Sequence, residues 1–437
     1  MISSSKSNFS ISNLYTNIMA ALVVSFVALS LGASFGLLSG RGALSGMIAA
    51  GVIAFVTSLF GGTRIQCSGP TAPMSAVAIA VLVSAQQLSA NQLEGMTVNQ
   101  LFNFTVILSG FMLGFAALFR AGNLIKWIPN SVISGFMSGI AVLIWIGQIE
   151  QLFVVDSLWV FNKTALLNSL IALLTLAIIL LFPKTKNKTF RRILAFFPAT
   201  LMAIIISTLV VHLFNIPIET INIDSSVLSV SISEWVQAQI PTHMSFELLI
   251  FALPLAFQLA LLCYLDTLMT ALVMDKISGE DTQRNRELAA QGLANAAAAL
   301  LGGLPGAQAT IRSVLILKEG ATSRFAGILV GVFVIVEIFV FLDWISLIPK
   351  AVFIGVLFKV GYDVFDRTVA REIGKLLLGR KALLSKKDVP LIVLTVLVTL
   401  FVNLSVAAIG ATILFYIIQK LTNNSLPDLN KLLVKHD

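Results

Sequence analysis

The sequence predicts an all-α membrane protein of fourteen transmembrane segments arranged as two seven-segment inverted repeats, and three observations predict it. Of the 437 residues, 57% are hydrophobic and 11% charged, with a mean hydropathy of +0.94, whereas a soluble domain carries about 25% charged residues. Apolar runs long enough to cross a bilayer recur along the whole chain. Two glycine- and proline-rich breaks, Ser68-Gly69-Pro70-Thr71-Ala72-Pro73 and Gly302-Gly303-Leu304-Pro305-Gly306-Ala307-Gln308-Ala309-Thr310, interrupt such runs in the two halves. Interrupted hydrophobic segments at corresponding places point to a transporter's binding site near the bilayer midplane.

The segments follow in order. The polar start, Met1 to Asn13, leads into an apolar run with no small-residue cleavage site after it, so that run is a span and not a removed signal peptide. A span needs roughly 20 mostly apolar residues. Full-length candidates lie near 17–38, 44–60, 101–119, 131–152, 165–182, 194–214, 247–274, 325–342, 349–365, 388–404 and 407–420, with a weaker Ala-rich one at 287–301. Each break is followed by a segment too short for a full span, Met74 to Ala85 and Ile311 to Leu317, giving half-helices at segments 3 and 10. Seven segments per half force the second half to enter the membrane in the opposite sense, hence inverted repeats. The first repeat covers about 14–214 and the second about 246–420, joined by the polar stretch from Ile216 to Ser245, in a single transport domain over 1–437. Asp366 to Lys387 has mixed charge with apolar residues at helical spacing (Val369, Ile373, Leu376, Leu377), the pattern of a helix lying along the inner surface. Only a short polar tail follows Lys420, with no room for a cytoplasmic domain.

The loop charges agree with this count. With the N-terminus inside, the inner loops hold Arg120 and Lys126; Lys184, Lys186, Lys188, Arg191 and Arg192; Lys276, Arg284 and Arg286; Lys318 and Arg324; and Arg367, Arg371, Lys375, Arg380, Lys381, Lys386 and Lys387. The outer loops hold Glu94, Glu150, Asp156, Glu219, Asp224 and Glu234, and among basic residues only Arg41, Lys163 and Lys350. That asymmetry is positive-inside behaviour, which puts both termini in the cytoplasm of a cell (inner) membrane protein. It also explains the net charge of +8 without nucleic acid as a partner. Cys67 and Cys263 lie in apolar stretches and form no disulfide framework. His212, His243 and His436 are scattered, and no phosphate loop or nucleophile elbow is present. The composition excludes a soluble enzyme, and no cofactor is expected beyond a coupling H+ or Na+.

Asp266 lies well inside the 247–274 span, where a carboxylate costs on the order of 3 kcal/mol and needs a cavity, a cation or a basic partner. Thr270, four residues on, shares its helical face. The pair reads as a cation-coupling site, for a proton or for Na+ held by carboxylate, hydroxyl and backbone carbonyls, or else Asp266 is a structural ion-pair partner of Arg312. Arg312 stands near the start of the second half-helix, where backbone N–H groups and the helix dipole already favour an anion, and a guanidinium suits carboxylates and tetrahedral oxyanions. Thr71 and Ala72 in the first break, with Gln308, Ala309 and Thr310 in the second, offer N–H groups, hydroxyls and an amide to the same anion. For each, helix capping or interhelical bonding is the competing role. Glu287, Gln291 and Asn295 give the Ala-rich segment a polar stripe, expected to pack against other helices. Glu337 and Lys359 are further intramembrane charges without an assignable partner, and Ser134-Gly135-Phe136-Met137-Ser138-Gly139 is a small-residue surface for close helix approach.

At these residues the chain resembles the sulfate permease (SulP) family of anion transporters, over nearly its whole length. Gly69-Pro70-Thr71-Ala72-Pro73-Met74 resembles the family's GPTGPM, and Ser131 to Gly139 its VISGFMSG; Gln291-Gly292-Leu293-Ala294-Asn295, Gly302-Gly303-Leu304-Pro305-Gly306 and Phe358-Lys359-Val360-Gly361 are similar too. The resemblance implies a core of segments 1–4 and 8–11 and a gate of 5–7 and 12–14. It further implies elevator-type movement, an anion held between segments 3 and 10, and a homodimer. It places Asp266, Thr270 and Thr310 at the cation site of Na+-coupled bicarbonate members, while Arg312 resembles the arginine of the animal anion-exchanger branch. Departures are Ser30 where the family has proline, Asn403 where it has an acidic residue, Gln308 where Na+-coupled members have glycine, and no cytoplasmic regulatory (STAS) domain after the last span.

The expected function is secondary active transport of a small anion (sulfate, bicarbonate or a related oxyanion or carboxylate), coupled to H+ or Na+. The anion would meet Thr71, Ala72, Gln308, Ala309, Thr310 and Arg312, and the coupling ion Asp266 and Thr270. The competing readings are a nucleobase:cation symporter of the same fold and an uncoupled anion exchanger or channel.

Overall fold

In lipid a spanning segment must satisfy its own backbone hydrogen bonds, so apolar runs become helices. The computed structural model describes residues 11–89, 93, 95–155, 158–182, 198–221, 223, 231–240, 245–380, 384, 388–402 and 404–422. Of the positions singled out above, Glu94, Asp156, Lys184, Lys186, Lys188, Arg191, Arg192, Asp224, His243, Lys381, Lys386, Lys387, Asn403 and His436 lie outside the described residues, as do 194–197 of one expected span.

The helices are α1 (Ile11–Leu38), α2 (Ala43–Phe60), α3 (Ala72–Gln86), α4 (Val98–Leu118), α5 (Asn130–Phe153), α6 (Lys163–Leu181), α7 (Ala199–Leu213), α8 (Ile232–Gln239), α9 (Phe246–Ser278), α10 (Arg284–Leu300), α11 (Thr310–Lys318), α12 (Arg324–Ser346), α13 (Lys350–Val364), α14 (Arg367–Leu377), α15 (Asp388–Phe401) and α16 (Leu404–Thr422). Among the described residues, α1, α2, α4, α5, α6, α9 and α12 have both the length and the apolarity to cross a membrane; α3, α7 and α15 are apolar and shorter. The chain is a multi-pass membrane protein. Over the described residues each expected segment contains a helix, including the two short ones after the breaks, α3 and α11. α9 outruns its apolar stretch because its backbone continues through Asp275 and Lys276 until Gly279, at φ 71°, ends it, the left-handed stop that glycine permits. Two strand pairs are short: β1 (Ser68–Gly69) with β4 (Ala307–Gln308), and β2 (Val154–Val155) with β3 (Leu158–Trp159).

The chain forms two compact units. The first, residues 1–123 and 152–357, holds both breaks. Its helices approach through glycine. A Cβ on Gly46 of α2 would overlap the Gly32 carbonyl of α1, and one on Gly110 of α4 would lie 2.5 Å from the Gly292 carbonyl of α10. The carbonyls ending α2 are taken by guanidiniums: Arg286 Nε donates to Phe60 (2.8 Å) and Arg324 Nη1 to Gly61 (2.7 Å), where cations offset orphan acceptors and the dipole. Arg41, expected in a loop, is partly buried over the Phe102 ring at 4.8 Å. Its Nη2 donates to Asn103 Oδ1 at 3.0 Å, and burial pushes the guanidinium down to about 10. Lys350 Nζ lies 2.8 Å from Glu219 Oε2, which holds that carboxyl below its ordinary range.

The second unit, residues 124–151 and 358–437, realises the small-residue surface. A Cβ on Gly135 would lie 2.8 Å from the Ile392 carbonyl of α15, and one on Gly139 2.7 Å from Thr399 Cβ. Val369, Ile373 and Leu376 of α14, expected along the inner surface, pack on Leu384, Val389 and Ile392. Ser134 Oγ donates to Asp366 Oδ2 (2.7 Å), whose Oδ1 accepts from Val369 N and caps α14. Lys359 pairs with Asp363, one turn on, at 2.5 Å.

Gly46→Ala is expected to destabilise the first unit by about 1–3 kcal/mol, because the added methyl meets backbone that cannot yield. Gly114→Ala, where an added Cβ meets nothing within 4 Å, is expected to be neutral or stabilising. Thermal melting of the two purified variants against the parent checks both.

Candidate functional site

The two breaks are one structure. β1 pairs antiparallel with β4, Ser68 opposite Gln308 and Gly69 opposite Ala307. Gly69 has φ +149°, and a Cβ there would lie 2.9 Å from Arg312 Nη1; a Cβ on Gly306 would strike the Gly69 carbonyl. Glycine is required at Gly306 because backbone crosses backbone there, and at Gly69 because its positive φ beside the guanidinium suits no other residue. α3 leaves one strand and α11 the other. Thr71 and Ala309 are their N-cap residues, both extended, and neither side chain caps its helix. First-turn N–H groups have no intrahelical acceptor, so two helix starts with electropositive ends stand beside the strand pair.

The expected residues gather here, with partners that differ in part from expectation. Thr71 Oγ1 donates to Asp266 Oδ2 at 2.7 Å, so α3's cap residue is bound to the α9 carboxylate. Thr270 and Thr310 pair through their hydroxyls at 2.6 Å. Arg312 is 1% exposed, and its Nη2 donates to the Pro70 carbonyl at 2.8 Å. Among the described residues no ion pair joins it to Asp266, and its Nε and Nη1 are buried without a partner. Gln308 is buried, its amide N and O both unpartnered, while its backbone N–H donates to Thr267 Oγ1 at 3.3 Å. Thr71 and Ala72 are buried, Asp266 and Ala309 half-buried, and Thr310 exposed. The cluster therefore combines unspent donors with access. Among the described residues no group of three His, Cys, Asp or Glu is placed to hold a metal ion.

The residues that hold the breaks together were legible only as a polar stripe. On α10, Asn295 makes two bonds with Gly306: Nδ2 donates to its carbonyl (3.0 Å) and Oδ1 accepts from its N–H (2.7 Å). Gln291 Nε2 donates to Ser68 Oγ at 2.8 Å. Glu287 Oε2 accepts from Gly62 N, Thr63 N and Gln66 Nε2 at 2.7, 2.9 and 3.0 Å, and Ser68 Oγ donates to Gln66 Oε1 at 3.1 Å. One helix thus clamps the first break at Ser68 and the second at Gly306. Ser313 binds from the other side, accepting from Cys67 N at 3.1 Å. The i, i+4 spacing announced a shared face; what it would bind was not encoded in the spacing. Asn295→Ala leaves the buried N–H of Gly306 unpaired, at about 1–3 kcal/mol, and its carbonyl with the Cys263 thiol as the remaining donor. It is expected to lower the melting midpoint and to abolish ligand binding, checked by melting with and without a panel of anions.

Comparison with known proteins gives this geometry its relatives. The profile of the Sulfate permease family matches residues 14–376. The "Putative sulfate transporter YvdB" of Bacillus subtilis (strain 168) is 28% identical over 386 residues, 83% of this chain and 66% of the relative. The bicarbonate transporter BicA of Picosynechococcus sp. is 30% identical over 419 residues, 92% of this chain and 70% of the relative. The chain thus spans about two thirds of the length of these curated relatives. Among solved structures, the transmembrane domain of a cyanobacterial BicA superposes with a TM-score of 0.76 at 27% identity, covering 92% of this chain and 99% of that one. SLC26A9 superposes with a TM-score of 0.72 at 15% identity, over 96% of this chain and 67% of that one, a likeness of fold. These relatives are transporters and not enzymes, and with a profile match across most of its length the chain belongs to the sulfate permease family.

Proposed function

We propose that the chain is a secondary active carrier of a small anion: sulfate, bicarbonate or a related oxyanion or carboxylate. The observation that carries the proposal is the β1–β4 pair, from which α3 and α11 start side by side next to a buried, incompletely bonded Arg312. Two helix starts and a guanidinium form a donor set for one desolvated anion. In this reading the first-turn N–H groups at Ala72 and Thr310, the Gln308 amide and the Thr71 hydroxyl contact the anion, with Ala309 at the mouth. Arg312 supplies the fixed charge that offsets it. The names of YvdB and BicA, a sulfate and a bicarbonate transporter, support oxyanion chemistry.

Asp266 is the coupling group, for H+ or Na+, with Thr270 and Thr310 beside it. Thr71 bridges the two functions: its hydroxyl binds Asp266, and its backbone begins the anion-facing helix. A proton or cation on Asp266 would release Thr71 to turn toward the anion, so that one ion's binding favours the other's. The fourteen segments form two inverted repeats about these breaks, and the site moves in elevator fashion within a homodimer of the cell membrane, both termini cytoplasmic.

The test is uptake of labelled sulfate and bicarbonate into proteoliposomes, with and without inward Na+ and H+ gradients and with unlabelled anions and uracil as competitors. Saturable uptake that one cation gradient drives, blocked by anions and not by uracil, is the expected result. Arg312→Ala is expected to weaken apparent anion affinity tenfold or more, since a hydrogen bond to a charged group is worth about 1.5–3 kcal/mol. Asp266→Asn is expected to keep anion binding and lose accumulation against a gradient. Wild-type accumulation in Asp266→Asn overturns the coupling role, and unchanged affinity in Arg312→Ala overturns the anion site.

A further inference from the structure

Glu337 sits near the middle of α12, in a part of the first unit that the proposed anion and coupling sites do not use. Its side chain is 5% exposed. Oε1 lies 2.5 Å from Ser25 Oγ on α1, and Oε2 is buried with no partner. Ser25 Oγ lies 2.8 Å from the Leu22 carbonyl as well. A serine hydroxyl has one proton and can donate to only one of these two oxygens.

The two protonation states of Glu337 therefore differ in what they leave unmade. As a carboxylate, acceptor only, Glu337 competes with the Leu22 carbonyl for the single Ser25 proton, and Oε2 is an anionic oxygen bare of donors inside the membrane. Such a group is among the most costly to bury. As a carboxylic acid, Glu337 donates from Oε1 to Ser25 Oγ, Ser25 donates to the Leu22 carbonyl, and each proton has its acceptor.

Among the described residues no ion pair reaches Glu337. α1 and α2, the helices packed on α12, contain no Asp, Glu, Lys, Arg or His. On α12 itself, Arg324 stands at the far end, bonded to the Gly61 carbonyl, and Asp343 adds charge of the same sign. Nearby on α7, His212 is bonded to the Leu347 carbonyl at 3.0 Å, and Lys350 at the start of α13 is paired with Glu219.

We infer that Glu337 is a proton-binding site within the membrane, distinct from Asp266, and that its bound proton links α12 to α1 in this conformation. The inference stands on the hydrogen-bond pattern alone and holds whether or not Asp266 couples transport to a cation.

Infrared spectra of the full chain in lipid bilayers at neutral pH, in H2O and D2O, test it. The expected result is a protonated-carboxyl C=O band that moves down in D2O, persists in Asp266→Asn, and loses intensity when Glu337→Gln is added to Asp266→Asn. A band of unchanged intensity in that double variant, or the loss of carboxylate bands in its place, overturns the inference. Should Glu337→Gln not fold, Ser25→Ala decides: its carboxyl band is expected at higher frequency because the hydrogen bond to Ser25 is gone, and an unmoved band overturns the inference.

Discussion

The antiparallel pairing of Ser68 and Gly69 with Ala307 and Gln308 is the constraint on which the rest of the site depends. Inside a membrane an interrupted helix leaves backbone donors and acceptors that lipid cannot satisfy, so irregular backbone survives only when protein or a cavity answers it. Here each break answers the other. The pairing needs close backbone approach, which explains glycine at 69 and 306, where any side chain would overlap the opposite strand or the Arg312 guanidinium. It also fixes where α3 and α11 begin, and with that the position of every candidate site residue in the breaks.

Around the strand pair the polar side chains divide into two sets. Asn295, Gln291, Ser68, Gln66 and Glu287 form a buried network with Asn295 and Gln291 gripping a break each. Such a network defines one geometry when its members are satisfied. Arg312 and Gln308 are buried in the same place with donor atoms left over. Unmade bonds of this kind are costly in a protein with no ligand to receive them, and a small oxyanion is the chemistry that would use them. Among the clamp's side-chain atoms only Gln291 Oε1 lacks a partner, whereas Arg312 and Gln308 each leave two such atoms.

The site's internal wiring differs from simple charge pairing. Opposite charges at 266 and 312 suggest an ion pair, yet the guanidinium goes to the Pro70 carbonyl and the carboxylate to the Thr71 hydroxyl. Both contacts fall on adjacent residues of the first break, one from α9 and one from α11. The two charges therefore meet through the backbone that starts α3 and not through each other, which leaves the guanidinium's remaining donors free. Glu337 is the complementary case: a buried carboxyl packed against helices α1 and α2, which carry no charged residue, and joined to a hydroxyl across the α1–α12 contact.

Hydropathy and local backbone preference are properties of neighbours in sequence, so the membrane class, the helices and the glycine–proline breaks were legible in the chain itself. Boundaries moved by a few residues in either direction: α1 starts at Ile11, α9 runs on to Gly279 and α15 stops at Phe401. The positions of Asp266, Thr270 and Arg312 were legible too, because a charge in an apolar run is conspicuous. Their partners were not. The register of Ser68 on Gln308, the bond from Thr71 to Asp266, the grip of Asn295 on Gly306 and the approach of Ser25 to Glu337 join residues distant in sequence. Each was decided by which elements pack face to face, and only the tertiary structure holds that information, because a side chain's type states what it can bond and the fold alone states what is within reach.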